Sequence, residues 1–184
     1  MLGSVGKDFV APHPEVIDYS HIKIIQDYNT ATGFIFTDQD NNQITPFYAG
    51  ALQFASSQKI TDIQQKSSLK YAIISPNDTT AMIVHLEEAK NLGITTIFDP
   101  GQCIHFLSDE QLIYAGSLAD ILIMNDYERA LWKEKTGLDE HHPDSSAHTI
   151  IVTLGEKGVS YRQQTNNTRE HIDAISCSKV LDPT

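Results

Sequence analysis

The residues best suited to chemistry fall in three short stretches. In ILIMNDYE, Asn125 and Glu128 stand three positions apart, an amide and a carboxylate that one helical turn would bring toward the same point. Oxygen ligands of this kind suit Mg2+, which takes one or two carboxylates and otherwise keeps its waters. The same pair has the composition of a capping box, Asn125 closing the start of a helix and Glu128 reaching back to it, and the spacing leaves both roles open. In IIVTLGEKGVSY, Thr153, Gly155 and Gly158 make a T-x-G-x-x-G run. Glycines at that density let backbone N–H groups converge on an anion such as a phosphate. They serve equally in a tight hairpin whose turn needs positive φ. The third stretch is VLDPT, in which Asp182 and Thr184 flank a proline in a turn that follows a short apolar run. The sequence holds neither GxxxxGK[ST] nor GxGxxG, so the two common phosphate fingerprints are absent from it.

Other reactive residue types carry less. His141 and His142 are adjacent within DEHHPD, a pattern that belongs to a solvated acidic loop more readily than to a metal site. Cys103 reads either as a reactive thiol near a strand end or, preferably, as a small buried side chain. Trp132, in the segment after Asn125 and Glu128, reads as packing rather than as a platform for a base. Asp99 closes TTIFD, where it either borders a ligand or caps the Pro100-Gly101 turn.

Bulk properties bound what such residues can serve. The 184 residues are 40% hydrophobic and 20% charged, enough to bury an ordinary core. A formal charge of −11 disfavours nucleic acid and anionic membrane as partners, because phosphates would repel the surface. Two cysteines, Cys103 and Cys177, make no disulfide framework and fit a reducing compartment. No apolar run approaches the ~18 residues of a membrane span. MLGSVGKDF lacks the basic-then-apolar plan of a secretory signal, and the expected localisation is cytoplasmic.

The elements that must position these residues follow from hydrophobic period and turn chemistry. HIKIIQDY and TGFIFT are β-rich, DQDNNQ supplies a turn, and ITPFYAG returns, which predicts a small antiparallel sheet. SSQKITDIQQKSS is a polar connector with a short helical stretch. From about Lys70 the texture alternates. YAIIS is a strand of buried type. PNDTTAMIVHLEEAKNLG is a helix with Met82, Ile83, Leu86 and Ala89 at helical spacing and Gly93 to close it. ITTIFD, DILIMN, HTIIVTLG and GVSYRQ are further strands. SDEQLIYAGSLA, capped by Ser108, and DYERALWKEKTG, ended by Gly137, are helices. Alternating strands and amphipathic helices imply an α/β fold with a mainly parallel sheet flanked by helices. Such folds place chemistry at the carboxyl ends of their strands.

N-x-x-E after one strand, T-x-G-x-x-G after the next and D-P-T at a later turn come in the order found in the ribokinase-like (PfkB) kinases of sugars and nucleosides. The chain resembles that family, particularly its bacterial adenosine-kinase-like branch. GSVGKDF, with Gly3, Val5, Gly6, Asp8 and Phe9, looks like the family's G-x-V-G-x-D-F element. TGFIFTDQDNNQITPFYAGA resembles the family's β-sheet lid, and GITTIFDPGQ and NDYERALWKEKTG are also similar. The resemblance implies a ribokinase-like fold with residues 1–52 as an N-terminal remnant plus β-lid, and 68–184 as a nucleotide-binding core incomplete at its C-terminus.

It further implies ATP and Mg2+ as cofactors, with K+ in some relatives, and a small sugar or nucleoside as substrate. By resemblance, Asn125 and Glu128 organise Mg2+ through its waters, and Asn125, Thr153, Gly155 and Gly158 contact nucleotide phosphates. Asp182 and Thr184 match positions beside a monovalent-cation site. The family continues D-P-T with G-A-G-D, whose aspartate is the general base. No residue here matches it, so the expectation is the middle portion of a phosphotransferase, without turnover by itself and able to form a homodimer through the β-lid. The alternative is a non-catalytic nucleotide-binding or dimerising remnant, or a decayed gene product.

Overall fold

The structure is a computed structural model, described here for residues 1–39, 43–65, 68–138, 147–164 and 168–176. His141, His142, Cys177, Asp182 and Thr184 lie outside those residues. By internal contacts the chain forms two units, Met1–Leu69 with Asn77–Glu88, and Lys70–Pro76 with Ala89–Thr184.

The first unit opens with a parallel pair, β1 (Leu2–Gly6) and β2 (His21–Ile25). The loop after β1 is held by Asp8, whose carboxylate accepts from the Thr30 amide at 2.7 Å and the Thr30 hydroxyl at 2.8 Å. Of the antiparallel sheet expected from the sequence, HIKII pairs parallel with β1 instead, because an apolar run does not fix its partner's direction, and the remainder forms two short antiparallel ladders. β3 (Thr32–Gly33) pairs with β6 (Phe47–Tyr48), and β4 (Phe36–Thr37) with β5 (Gln43–Ile44). Gly50–Ser57 is a 3₁₀ helix that the sequence pattern did not announce, followed by α1 (Ile60–Gln64) in the polar connector. The helix α2 (Thr79–Asn91) has its residues to Glu88 in this unit. Met82 and Leu86 are fully buried there, and His85 Nε2 lies 3.0 Å from the Gln58 carbonyl.

The second unit holds β7 (Tyr71–Ile74), β8 (Thr95–Phe98), α3 (Asp109–Leu118), β9 (Ile121–Asn125), α4 (Asp126–Thr136), β10 (Thr149–Thr153), β11 (Val159–Gln163) and β12 (Thr168–Ile172). Its six strands run in the order β12-β11-β10-β9-β8-β7. β7 to β10 are parallel, and β11 and β12 extend the sheet antiparallel. Strand alternation sends Thr96 and Phe98, Leu122 and Met124, and Ile150 and Val152 into the core. The α/β class with a mainly parallel sheet expected from the sequence is the class observed.

Two further expectations need correction. YAIIS was read as a buried strand, yet β7 is at one end of the sheet order and leaves Tyr71 and Ile73 each 66% exposed. An apolar run of four residues fits an edge strand as well as a central one. β12 was not foreseen at all, because TREHI is polar and every one of its residues is exposed, so it carries no apolar alternation.

The amino ends of β8 and β9 are tied by Asp120. Its carboxylate accepts from the Thr96 amide at 2.8 Å, the Thr96 hydroxyl at 3.1 Å and the Lys90 ammonium at 2.9 Å. Burial alone would raise this carboxyl, but the Thr96 amide and the Lys90 ammonium outweigh it and hold its pKa below the ordinary value. No helix among the described residues is long and apolar enough to cross a membrane.

Candidate functional site

The carboxyl ends of β8, β9 and β10 open onto a cleft of about 450 Å³ lined by Asp99, Gln102, Asn125, Glu128 and Thr153, among others. Each residue arrives there for a local reason. Asn125 is the last residue of β9 and the N-cap of α4, in extended conformation. Its Oδ1 accepts from the Glu128 amide at 2.7 Å, and its own amide donates to Glu128 Oε2 at 2.9 Å. Both halves of the capping box are therefore made. That leaves the second Glu128 oxygen outside the box, on a residue that lines the cleft. Thr153 stands opposite Asn125 in the β9–β10 ladder, so it faces the same space.

Asp99 joins them from the end of β8. The Gly101 amide donates to its carboxylate, which caps the turn as one of the two sequence readings expected. Burial outweighs that bond and pushes the Asp99 carboxyl above its ordinary pKa. Gly101 has φ of 45°, and a Cβ there would lie 2.4 Å from Pro76 Cγ, so only glycine permits this wall of the cleft. Gln102 and Gly101, in the 3₁₀ helix Gly101–His105, were not singled out from sequence. The usable signal was position, since TIFDPGQ ends a parallel strand on the edge where such folds put ligands.

Gly155 and Gly158 are not among the residues lining this cleft. They shape a tight turn between β10 and β11, in which Leu154 donates to the Gly158 carbonyl, Lys157 to Leu154 and Gly158 to Gly155. Gly158 has φ of 89°, and a Cβ on it would meet the Ile172 carbonyl at 2.0 Å, so the hairpin requirement accounts for it. The amides of Gly155 and Glu156 are the two that do not enter the turn's own bonds. Trp132 is buried at 5% exposure, in keeping with packing, and Cys103 is half-buried.

The donor set fits a hydrated Mg2+ brought with a phosphate better than a cage made by protein alone. Asp99 and Glu128 supply carboxylates, Asn125 and Thr153 neutral oxygens, and no group of three or more His, Cys, Asp or Glu residues suited to a metal occurs among the described residues.

Residues 1–184, the whole chain, match the pfkB family carbohydrate kinase. The chain belongs to that family. Among its relatives is a nucleoside kinase of Methanothermobacter thermautotrophicus, 31% identical over 192 residues, covering 100% of this chain and 60% of the relative. The solved nucleoside kinase of Burkholderia thailandensis in complex with inosine superposes with a TM-score of 0.86 at 31% identity, over 100% of this chain and 61% of that one. The nucleoside kinase of Methanocaldococcus jannaschii, an archaeal member of the ribokinase family, gives 0.85 at 26% identity, over 99% and 60%. This pfkB-family chain thus spans about 60% of the length of these relatives.

Proposed function

We propose that this chain is the nucleotide-handling portion of an ATP-dependent kinase that transfers the γ-phosphoryl group to a hydroxyl of a nucleoside. The observation that carries the reading is the cleft at the strand ends, where Asn125, Glu128, Thr153 and Asp99 meet in a chain of a carbohydrate-kinase family. The nucleoside acceptor is favoured over a free sugar because the relatives named above are nucleoside kinases, one of them solved with inosine.

Phosphoryl transfer is mainly positioning and charge stabilisation, with Mg2+ neutralising the phosphate oxygens. In this chain Glu128, held by the capping box, and Asp99 would hold the waters of a Mg2+ bound with the nucleotide. Asn125 and Thr153 would contact phosphate oxygens, and the Gly155 and Glu156 amides would lie next along the same edge. Asp182 and Thr184 keep the monovalent-cation role that the resemblance implies, with K+ as the ion. A cytoplasmic location and a homodimer through the lid belong to the same reading. G-A-G-D occurs nowhere in the 184 residues, so they are expected to show no turnover by themselves.

Calorimetric titration with ADP tests the reading. Binding that requires Mg2+, is abolished by EDTA and weakens in Glu128→Gln is expected. Binding indifferent to both, or none at millimolar ADP, would overturn it. The completed capping box supports a second reading in which Asn125 and Glu128 are only structural, and unchanged affinity in a folded Glu128→Gln chain is its signature.

A further inference from the structure

One wall of the cleft is carried by the segment Gly101–Leu107 and the facing wall by the first turn of α4; Tyr127 Oη lies 3.4 Å from His105 Nε2 between them, and a second side chain of α4 ties the segment at its far end. Lys135 projects from the last turns of α4, and its ammonium donates to the carbonyls of Ile104, at 3.1 Å, and Leu107. It also lies 3.9 Å from the Asp109 carboxylate, with its own side chain only 20% exposed. These carbonyls sit where the 3₁₀ helix ends among buried apolar groups, Ile104 at 0% and Leu107 at 1% exposure. Unpaired carbonyls in such a place carry a desolvation penalty, and a charged donor satisfies both at once.

Lys135 follows Glu128 by seven residues, two turns of helix, so both stand on one face of α4 with Trp132 between them. That face thus presents Glu128 to the cleft and Lys135 to the segment forming its other side. At the near end, the segment is held by the Gly101 amide on Asp99 and by the fit of Gly101 against Pro76. At the far end it is held by Lys135.

We propose that Lys135 is a positioning residue of the candidate site, fixing the distance between the Gly101–Gln102 wall and the Asn125–Glu128 wall. Its importance for ligand binding rests on the reading of the cleft as a nucleotide site; its clamping of the wall does not.

The test uses the full 184-residue chain with Lys135→Met, which keeps the apolar stem and loses the donors, and Lys135→Arg, which keeps charge and donors. Amide hydrogen exchange at Gly101, Cys103 and Leu107 is compared with exchange at Val152 and Tyr161 in the β10–β11 ladder. Affinity for ADP with Mg2+ is measured at a temperature well below the melt. Lys135→Met is expected to speed exchange selectively at the first three amides and to weaken ADP about tenfold, the lower end of what losing a group that orients a metal site's ligands costs. Lys135→Arg is expected to restore both.

Exchange that is unchanged at the wall, or raised equally in the ladder, overturns the proposal, as does normal ADP affinity beside a loosened wall. If the unsubstituted chain does not bind ADP, the functional reading falls and the exchange pattern alone decides the clamp. Should Lys135→Met fail to fold, Lys135→Gln, which retains an amide donor, is read by the same two measurements.

Discussion

Asn125 and Glu128 close the start of α4 and, in the proposed reading, also face the ligand; their variants separate the two roles. Asn125→Ala removes the oxygen that accepts from the Glu128 amide and is expected to cost about 1 kcal/mol of stability. Glu128→Gln keeps a carbonyl able to accept from the Asn125 amide, so its melt should barely move while Mg2+-dependent ADP affinity falls. Paired melting and titration check this, and a large melt shift with normal affinity in Glu128→Gln contradicts it. Asp99 gives a pH signature. Its carboxyl is raised by burial, so between the ordinary value of 3.8 and the raised one the folded chain holds more protons than the unfolded chain. Stability due to this group therefore falls as pH rises through that window, and the ionised carboxylate is unfavourable at neutral pH. Asp99→Asn is expected to melt higher than the unsubstituted chain at pH 7, with the difference vanishing below pH 3.8. A lower melt at pH 7 would show that the bond from Gly101 dominates. Residue types and spacing made Asn125, Glu128 and Thr153 legible, since an N-cap and a strand end have local signatures. Gln102 and Lys135 were not legible, because their roles come from a carbonyl pair and a wall that exist only once α4 packs beside the 3₁₀ segment.

At the scale of elements, the parallel strands β8 and β9 are aligned through Asp120 as well as through their ladder. The Thr96 amide and hydroxyl and the Lys90 ammonium bring the end of α2 and the starts of two strands to one carboxylate. Because its folded pKa is depressed, this contribution is present above the ordinary value of 3.8 and is lost as pH falls through the folded value. Asp120→Asn is expected to lose about 1.5–3 kcal/mol at pH 7, the range for hydrogen bonds to a charged group. The gap from the unsubstituted chain should close in acid, as followed by denaturant melts from pH 7 to pH 3. A gap independent of pH would mean that the geometry, not the charge, matters. Helix ends were the most readable elements. Ser108 with Gln111 and Asn125 with Glu128 both close as capping boxes, and Gly137 takes the left-handed conformation that ends α4. Strands were readable where one face is buried, as in β8, β9 and β10. β7 and β12 lie at the two ends of the sheet order, where a strand needs little burial, so an apolar run misled in one and a polar run hid the other.

For the molecule as a whole, charge and exposed apolar surface act against each other. The lid ribbons leave Phe36 63%, Ile44 71% and Phe47 60% exposed, and Phe36 lies directly across from Ile44 in its ladder. Apolar side chains concentrated on short, exposed strands favour pairing with a second copy. The formal charge of −11 opposes it, since two like-charged chains repel at low ionic strength. Salt shortens the reach of that repulsion to ~10 Å at 0.1 M and ~3 Å at 1 M, while leaving apolar attraction intact. Self-association is therefore expected to strengthen as sodium chloride is raised, the opposite of an assembly held by ion pairs. Sedimentation velocity over a concentration series at low and high salt measures it. Phe36→Ser and Ile44→Ser, each removing apolar surface without adding charge, should return the high-salt sample toward monomer. Because both side chains are solvent-exposed, neither change should cost more than ~0.5 kcal/mol of stability. A chain that stays monomeric at every salt and concentration would show that these ribbons are too small to hold two copies together. Association that survives both substitutions would instead move the contact to another surface, with the exposed Tyr71 and Ile73 of β7 the next to replace.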